Sequence, residues 1–220
     1  MYNIALDGTS GAGKSTVAKL LAAHLGIVYL DTGALYRAVA IKLDRAGAAL
    51  DDEEKTAAVL RDTKLDINIG KDGGAQRVIL DDGDVSDAIR EHRVSKLASD
   101  YSAVPAVRQK LLNIQRDIAA SRSSILDGRD IGTHVLPKAK YKFFVSASVA
   151  VRAKRRYDEL TAKGQEVDLA QIERDIADRD LKDSSRQISP LKAAPDAVVI
   201  DTSDLTIEQV LQTILSYIKE

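Results

Sequence analysis

The sequence predicts an α/β protein in which a five-stranded parallel sheet is flanked by helices and interrupted by one β-rich insertion. Three observations carry that expectation. Five short aliphatic or β-branched runs, Ile4 to Leu6, Ile27 to Leu30, Ser124 to Leu126, Tyr141 to Val145 and Ala197 to Ile200, alternate with segments of helical spacing, the pattern of parallel strands covered on both faces. Four of these runs lead directly into an aspartate, Asp7, Asp31, Asp127 and Asp201, and in open α/β sheets ligands collect outside the carboxyl ends of the strands. Between Leu65 and Val85 the pattern changes to period two around Gly70 to Gly74, which is a hairpin signal and too long a detour for a simple crossover.

Composition narrows the function. The chain has 220 residues, 45% hydrophobic and 30% charged, enough for one domain with an insertion. Lysine plus arginine, 32, nearly cancels aspartate plus glutamate, 33, for a net charge of −1. Neither a nucleic acid polymer nor an anionic membrane is attracted overall, so phosphate recognition must come from local clusters. There is no cysteine, hence no disulfide or thiolate metal site. With no apolar run near the ~20 residues of a membrane span and no leader pattern, a soluble cytoplasmic monomer is the expectation.

The first strand runs into Gly8-Thr9-Ser10-Gly11-Ala12-Gly13-Lys14-Ser15 and then, from Thr16, into a helix. This is G-x-x-x-x-G-K-[ST] in its required strand-turn-helix context, the P-loop. The glycines let backbone N–H groups converge on a polyphosphate at a helix N-terminus. Lys14 supplies a point charge for the outer phosphates, and the Ser15 hydroxyl can complete the shell of a phosphate-bound Mg²⁺.

The second strand ends in Asp31-Thr32-Gly33-Ala34-Leu35-Tyr36-Arg37, with Thr32 placed near a helix N-cap and Arg37 about one turn inside. Taken alone, this is a cap followed by a solvated arginine. The insertion is expected over residues 62–102, leaving 1–61 and 103–220 as the core. The third strand ends in Asp127-Gly128-Arg129-Asp130-Ile131-Gly132, charges that are costly to hold at a strand end without partners. Asp127 stands where P-loop enzymes place an acid for Mg²⁺ or its waters, and Arg129 suits a phosphate. Asp130 suits a base or sugar donor, or equally an ion pair at a turn.

Beyond the fourth strand, two helical stretches joined near Gly164 form an expected lid over residues 152–187. Arg152, Arg155 and Arg156 share one helical face, as do Arg179, Lys182, Asp183 and Arg186. Charge runs of this kind are usually solvated faces. Beside a P-loop they are also what phosphoryl transfer between two anions requires, namely planar donors that screen repulsion and stabilise transferred charge. The closing helix, with Ile207, Val210, Leu211, Ile214, Leu215 and Ile218 behind a Thr206…Gln209 capping box, is a packing element. His24, His92 and His134 are scattered without ligand spacing. A P-loop switch or regulatory binding module is the reading from a different class, but the chain lacks the N-K-x-D guanine signature.

From end to end, Gly8 to Ser15, Asp31 to Arg37, Asp127 to Gly132 and the Arg179…Asp183…Arg186 lid resemble the bacterial cytidylate kinases, a nucleoside monophosphate (NMP) kinase family. The resemblance implies a P-loop NTPase-type core with an NMP-binding insertion and a short helical lid, and transfer of phosphate from Mg-ATP to CMP or dCMP; UMP or another small anion is the alternative acceptor. It implies that Gly8 to Thr16 and Arg155 hold ATP, and that Thr32, Arg37, Ser99, Arg108, Arg129, Asp130, Arg179, Asp183 and Arg186 hold the acceptor. Within these, Lys14, Arg129, Arg179 and Arg186 are the implied catalytic groups, and Ser15 with Asp127 the metal-side groups. Ser99 and Arg108 carry no local signal of their own; they read as a small polar residue on one helix and an arginine early in the next.

Overall fold

The structure, a computed structural model, describes residues 1–68 and 76–218, apart from the side chain of His92. In chain order its elements are β1 (Asn3–Gly8), α1 (Lys14–Leu25), β2 (Val28–Asp31), α2 (Thr32–Arg45), α3 (Glu53–Arg61), β3 (Leu65–Asn68), β4 (Arg77–Leu80) and β5 (Gly83–Asp84). There follow α4 (His92–Tyr101), α5 (Pro105–Ser121), β6 (Ser124–Gly128), a π-helical turn (Ile131–Val135), β7 (Tyr141–Ser146), α6 (Val149–Ala162), α7 (Leu169–Ser185), β8 (Val198–Asp201) and α8 (Ile207–Tyr217).

All five apolar runs become strands of one parallel sheet in the order β2-β6-β1-β7-β8. Every residue of β6 is buried, as are five of the six in β1, which is why these strands read as continuous rather than alternating apolar runs. On one face α1 and α8 close over Ile4, Leu6, Ile125, Phe143 and Val145 with Val17, Leu21, Val210 and Ile214. On the other, Ala5, Leu30 and Leu126 meet Leu112 and Ala119 of α5 and Ile131 of the π-helical turn. Because the strands are parallel, their carboxyl ends and the aspartates at those ends, Asp7, Asp31, Asp127 and Asp201, lie along one edge.

The period-two segment forms an antiparallel sheet, β3-β4-β5, with Leu65 opposite Leu80 and Asn68 opposite Arg77. Ile69 and the expected Gly70–Gly74 turn lie outside the described residues. Val78 and Leu80 pack with Val85, Ile89 and Val94 against Ala34, Ala38 and Ile41 of α2, so the insertion shares a continuous apolar layer with the helix that follows β2. The tight turn between β4 and β5 uses Asp81 and Asp82 at φ 49° and 67°. The Asp81 carboxylate accepts Lys64 N–H at 3.0 Å and pairs with Lys42 at 2.5 Å, local bonds that favour a left-handed non-glycine residue.

Two expectations change. Asp31, not Thr32, caps α2: its side chain accepts the Ala34 N–H at 3.1 Å, and Thr32 is the first helical residue. The closing helix has its capping box, but Ile207 is 38% exposed and leaves the core to Val210 and Ile214. Among the described residues no helix is long and apolar enough to cross a membrane. Ile214→Ala should cost about 2–5 kcal/mol of unfolding free energy, against less than about 1 kcal/mol for Ile207→Ala, measured by urea denaturation.

Candidate active site

The glycine-rich turn leaves the central strand where no side chain fits. Gly8 has φ +145°, and a Cβ there would lie 1.8 Å from the Val145 carbonyl oxygen of β7. Lys14, at the start of α1, is 5% exposed and donates to the Thr9 carbonyl at 2.6 Å. Burial pushes its ammonium down to about 7, and the Arg129 and Arg179 guanidiniums push the same way against Asp127 and Asp7. The next hydroxyl, Ser15 Oγ, donates to Asp127 Oδ2 at 2.5 Å, and Tyr29 OH lies 3.4 Å from the same oxygen. Burial raises the Asp127 pKa. One hydroxyl and one carboxylate, both hard oxygen donors, fit Mg²⁺ held chiefly by phosphates and water. A dedicated cage is not available to compete: among the described residues no group of three or more His, Cys, Asp or Glu could hold a metal.

On the other side of this edge, arginines converge from four elements. Arg37 of α2 pairs with Asp31 at 2.8 Å. Arg129, after β6, donates through Nε to Asp183 Oδ2 at 3.1 Å, while Arg186, capping α7, reaches Asp183 Oδ1. Arg179 stands apart. Its Nε is buried without a partner, and burial together with Arg129 lowers its pKa to about 10. Burial likewise lowers Arg186, against the pull of Asp183. A further arginine, Arg108 on α5, forms an ion pair with Asp130, both side chains 6% exposed. Arg108 also donates to the Ser102 carbonyl and lies 5.6 Å over the Tyr36 ring, yet its Nε is unpaired. Ser99 Oγ, on α4, is buried and unpaired as well. Thr32 Oγ1 donates to the Asp127 carbonyl at 2.7 Å, tying the start of α2 to β6.

The structure therefore gathers Lys14, Ser15, Arg37, Arg129, Arg179, Asp183 and Arg186 along one edge, with Arg108, Asp130 and Ser99 behind them. The expected single faces of the lid helices divide. Arg152 is buried, bonding Ser10 O at 3.1 Å and Asp180 at 2.5 Å, so it anchors the loop to α7. Arg155 donates to the Thr202 carbonyl at 2.7 Å, and Arg156 pairs with Glu159 at the surface. Lys182 turns away from Arg179 to an exposed pair with Asp100. His24 and His134 are exposed. Tyr36 and Asp31 were not expected in these roles; the signal available was an aromatic and an acid flanking the arginine of α2. A cavity of about 470 Å³ at the amino ends of the strands, lined by Tyr2, Arg116, Pro137 and Lys140, lies away from all of these groups.

A sequence model described as cytidylate kinase matches residues 4–220. The chain belongs to the cytidylate kinase family. Relatives named cytidylate kinase include that of Caldicellulosiruptor saccharolyticus, 49% identical over 213 residues covering 97% of this chain and 93% of that protein. The cytidylate kinase of Pediococcus pentosaceus is 46% identical over 218 residues, covering 99% and 96%. Among solved structures, an uncharacterized protein from Eubacterium ventriosum shares the fold, with TM-score 0.53 at 14% identity over 99% of this chain and 98% of that one.

Two outcomes follow for this family member. Removing Asp130 leaves Arg108 charged and buried, so Asp130→Ala should destabilise the fold by about 3–5 kcal/mol, measured by urea denaturation. Lys14 has a folded pKa near 7, below its usual 10.5, so between those values the free protein holds it neutral. A polyphosphate restores the charged form. ATP binding at pH 8 should take up as much as one proton, seen as a calorimetric enthalpy that varies with buffer ionisation enthalpy, and Lys14→Met should abolish that dependence.

Proposed function

We propose that the protein transfers the γ-phosphoryl group of Mg-ATP to CMP or dCMP, giving ADP and CDP or dCDP. The observation that carries this reading is Arg179, a half-buried arginine whose Nε is buried without a hydrogen-bond partner, next to Arg129 and Lys14 at the rim of the phosphate loop. A buried donor left without an acceptor is costly in the free protein, and an anion supplied by a ligand offsets that cost. Residues 8–16 hold the triphosphate, with Arg155 on the donor side. Ser15 and Asp127 hold Mg²⁺, which when bound neutralises charge on the phosphate oxygens. Residues 62–102 act as the acceptor-binding insertion and residues 152–187 as the lid.

The acceptor side explains the choice of base. Arg108 is a pure donor and Asp130 a pure acceptor, a pair that suits the ring acceptors and the exocyclic N4 amine of cytosine. Ser99 Oγ and Arg108 Nε, both buried and unbonded, have hydrogen-bonding capacity to spare. Uracil presents an oxygen where cytosine presents the amine, and a buried carboxylate facing that oxygen would set two acceptors against each other with no hydrogen between them. Arg37, Arg129 and Arg186 take the acceptor phosphate, with Thr32 at the base of the pocket. Asp183 accepts two guanidiniums yet keeps lone pairs free for a sugar hydroxyl. The attacking group is a phosphate oxygen that is already anionic, so the work is alignment and charge screening, with no strong general base.

The test is a panel of CMP, dCMP, UMP, AMP and GMP, each incubated with Mg-ATP and followed by product analysis. CMP and dCMP should be the preferred acceptors. AMP or GMP turned over as fast as CMP would overturn the assignment.

A further inference from the structure

One buried carboxylate is not used by the chemistry described so far. Asp7 is the penultimate residue of β1, 3% exposed, immediately before Gly8. Its Oδ1 accepts the Ile131 N–H and its Oδ2 the Gly132 N–H, both at 2.7 Å. Those amides are the first two of the π-helical turn that follows Arg129 and Asp130. The same turn is closed on its other side by Asp130 itself, whose carbonyl accepts His134 N–H at 2.8 Å and Val135 N–H at 3.1 Å. Upstream, Gly128 is held in register opposite Asp7 in the sheet. Arg129 and Asp130 are thus strung over two residues between a strand end and a turn, and Asp7 fixes the far end of that span.

Holding a carboxyl here is costly. Burial pushes it up to about 7, against the pull of the two amides, and an apolar side chain would fill the sheet interior without that penalty. What the carboxyl alone supplies is two acceptor oxygens for two backbone donors that point the same way.

We propose that Asp7 is a positioning residue for the acceptor site. By holding the amides of Ile131 and Gly132 it aims Arg129 at the acceptor phosphate and Asp130 at the base, so the strand that feeds the donor loop also sets the acceptor pocket. This rests on the function proposed above. Asp7 touches neither nucleotide; it acts through the backbone of the next loop, and a misplacement there is magnified at the side-chain tips.

Steady-state kinetics on Asp7→Asn test this, with each substrate varied in turn, well below the melting temperature. Asparagine keeps one acceptor oxygen and turns an N–H₂ toward the second amide. The KM for CMP should rise about tenfold or more, with the KM for ATP changed by less than about threefold. Gly132→Ala disturbs the same bond from the amide side. Its Cβ would lie 3.3 Å from Asp7 Oδ2 and from Lys142 Cδ, and it should give the same CMP-selective effect at about threefold. Should Asp7→Asn fail to fold, Gly132→Ala decides. A loss of thermal stability with wild-type constants for both substrates, or equal losses for CMP and ATP, would overturn the inference. Wild-type protein run alongside separates the two claims, because a wild type that ignores CMP overturns the functional reading itself.

Discussion

Asp183 lies 1% exposed on α7, and its two oxygens take Arg129 from the end of a central strand and Arg186 from the end of its own helix. Without that carboxylate, Arg129, Arg179 and Arg186 would face one another in a partly desolvated space, where like charges repel far more strongly than in water. The bond also docks the helical hairpin of α6 and α7. Helices α6 and α7 share a small apolar cluster built on Ala153, Leu160 and Ile172, and polar ties hold them against the sheet edge: Asp183 at one end, Arg155 to the Thr202 carbonyl, and Arg152, joined to Asp180 and Ser10 O, nearer the loop. Buried pairs of this kind are weak sources of net stability but strict about geometry. They hold the arginines at set positions while costing the fold what a packed apolar core would not.

The site is left short of negative charge. Lys14 and Arg179 are driven toward their neutral forms by burial and by the Arg129 guanidinium beside both, and Arg108 keeps an unused Nε–H. Each of these is a deficit in the free protein that an anion removes. The same feature that makes the empty pocket expensive makes charge brought by a ligand effective, since preorganised donors need no reorganisation when it arrives. Stability and ligand affinity are drawn from the same groups with opposite signs.

Much of this was legible in the chain. Parallel strands buried on both faces appear as unbroken apolar runs, and all five were placed by that pattern alone. The glycine-rich loop carried its own context in the strand before it and the helix after it. What was hidden depended on side chains meeting across the fold. Asp31 and Thr32 both favour caps, and which of them ends the strand is settled by one residue of register. Arg152, Arg155 and Arg156 share a helical face in projection, but one is buried under the loop, one is tied to Thr202 and one is solvated. Periodicity gives the direction of a side chain but not the depth of its surroundings. Arg108 shows the same limit: nothing nearby in the chain marks it, and only the fold brings it to Asp130.

The sheet order puts β1 in the middle, laddered to β6 on one side and β7 on the other. Openings of a protein begin at elements with few buried contacts and reach central strands last. The antiparallel insertion and the helical hairpin hang from the periphery of this ladder, so either can detach and return while β1 and its backbone cradle stay intact. Amide exchange would then follow a hierarchy, with β1 and the glycine-rich turn among the most protected segments and the antiparallel sheet renewing its shape many times before the molecule as a whole comes apart.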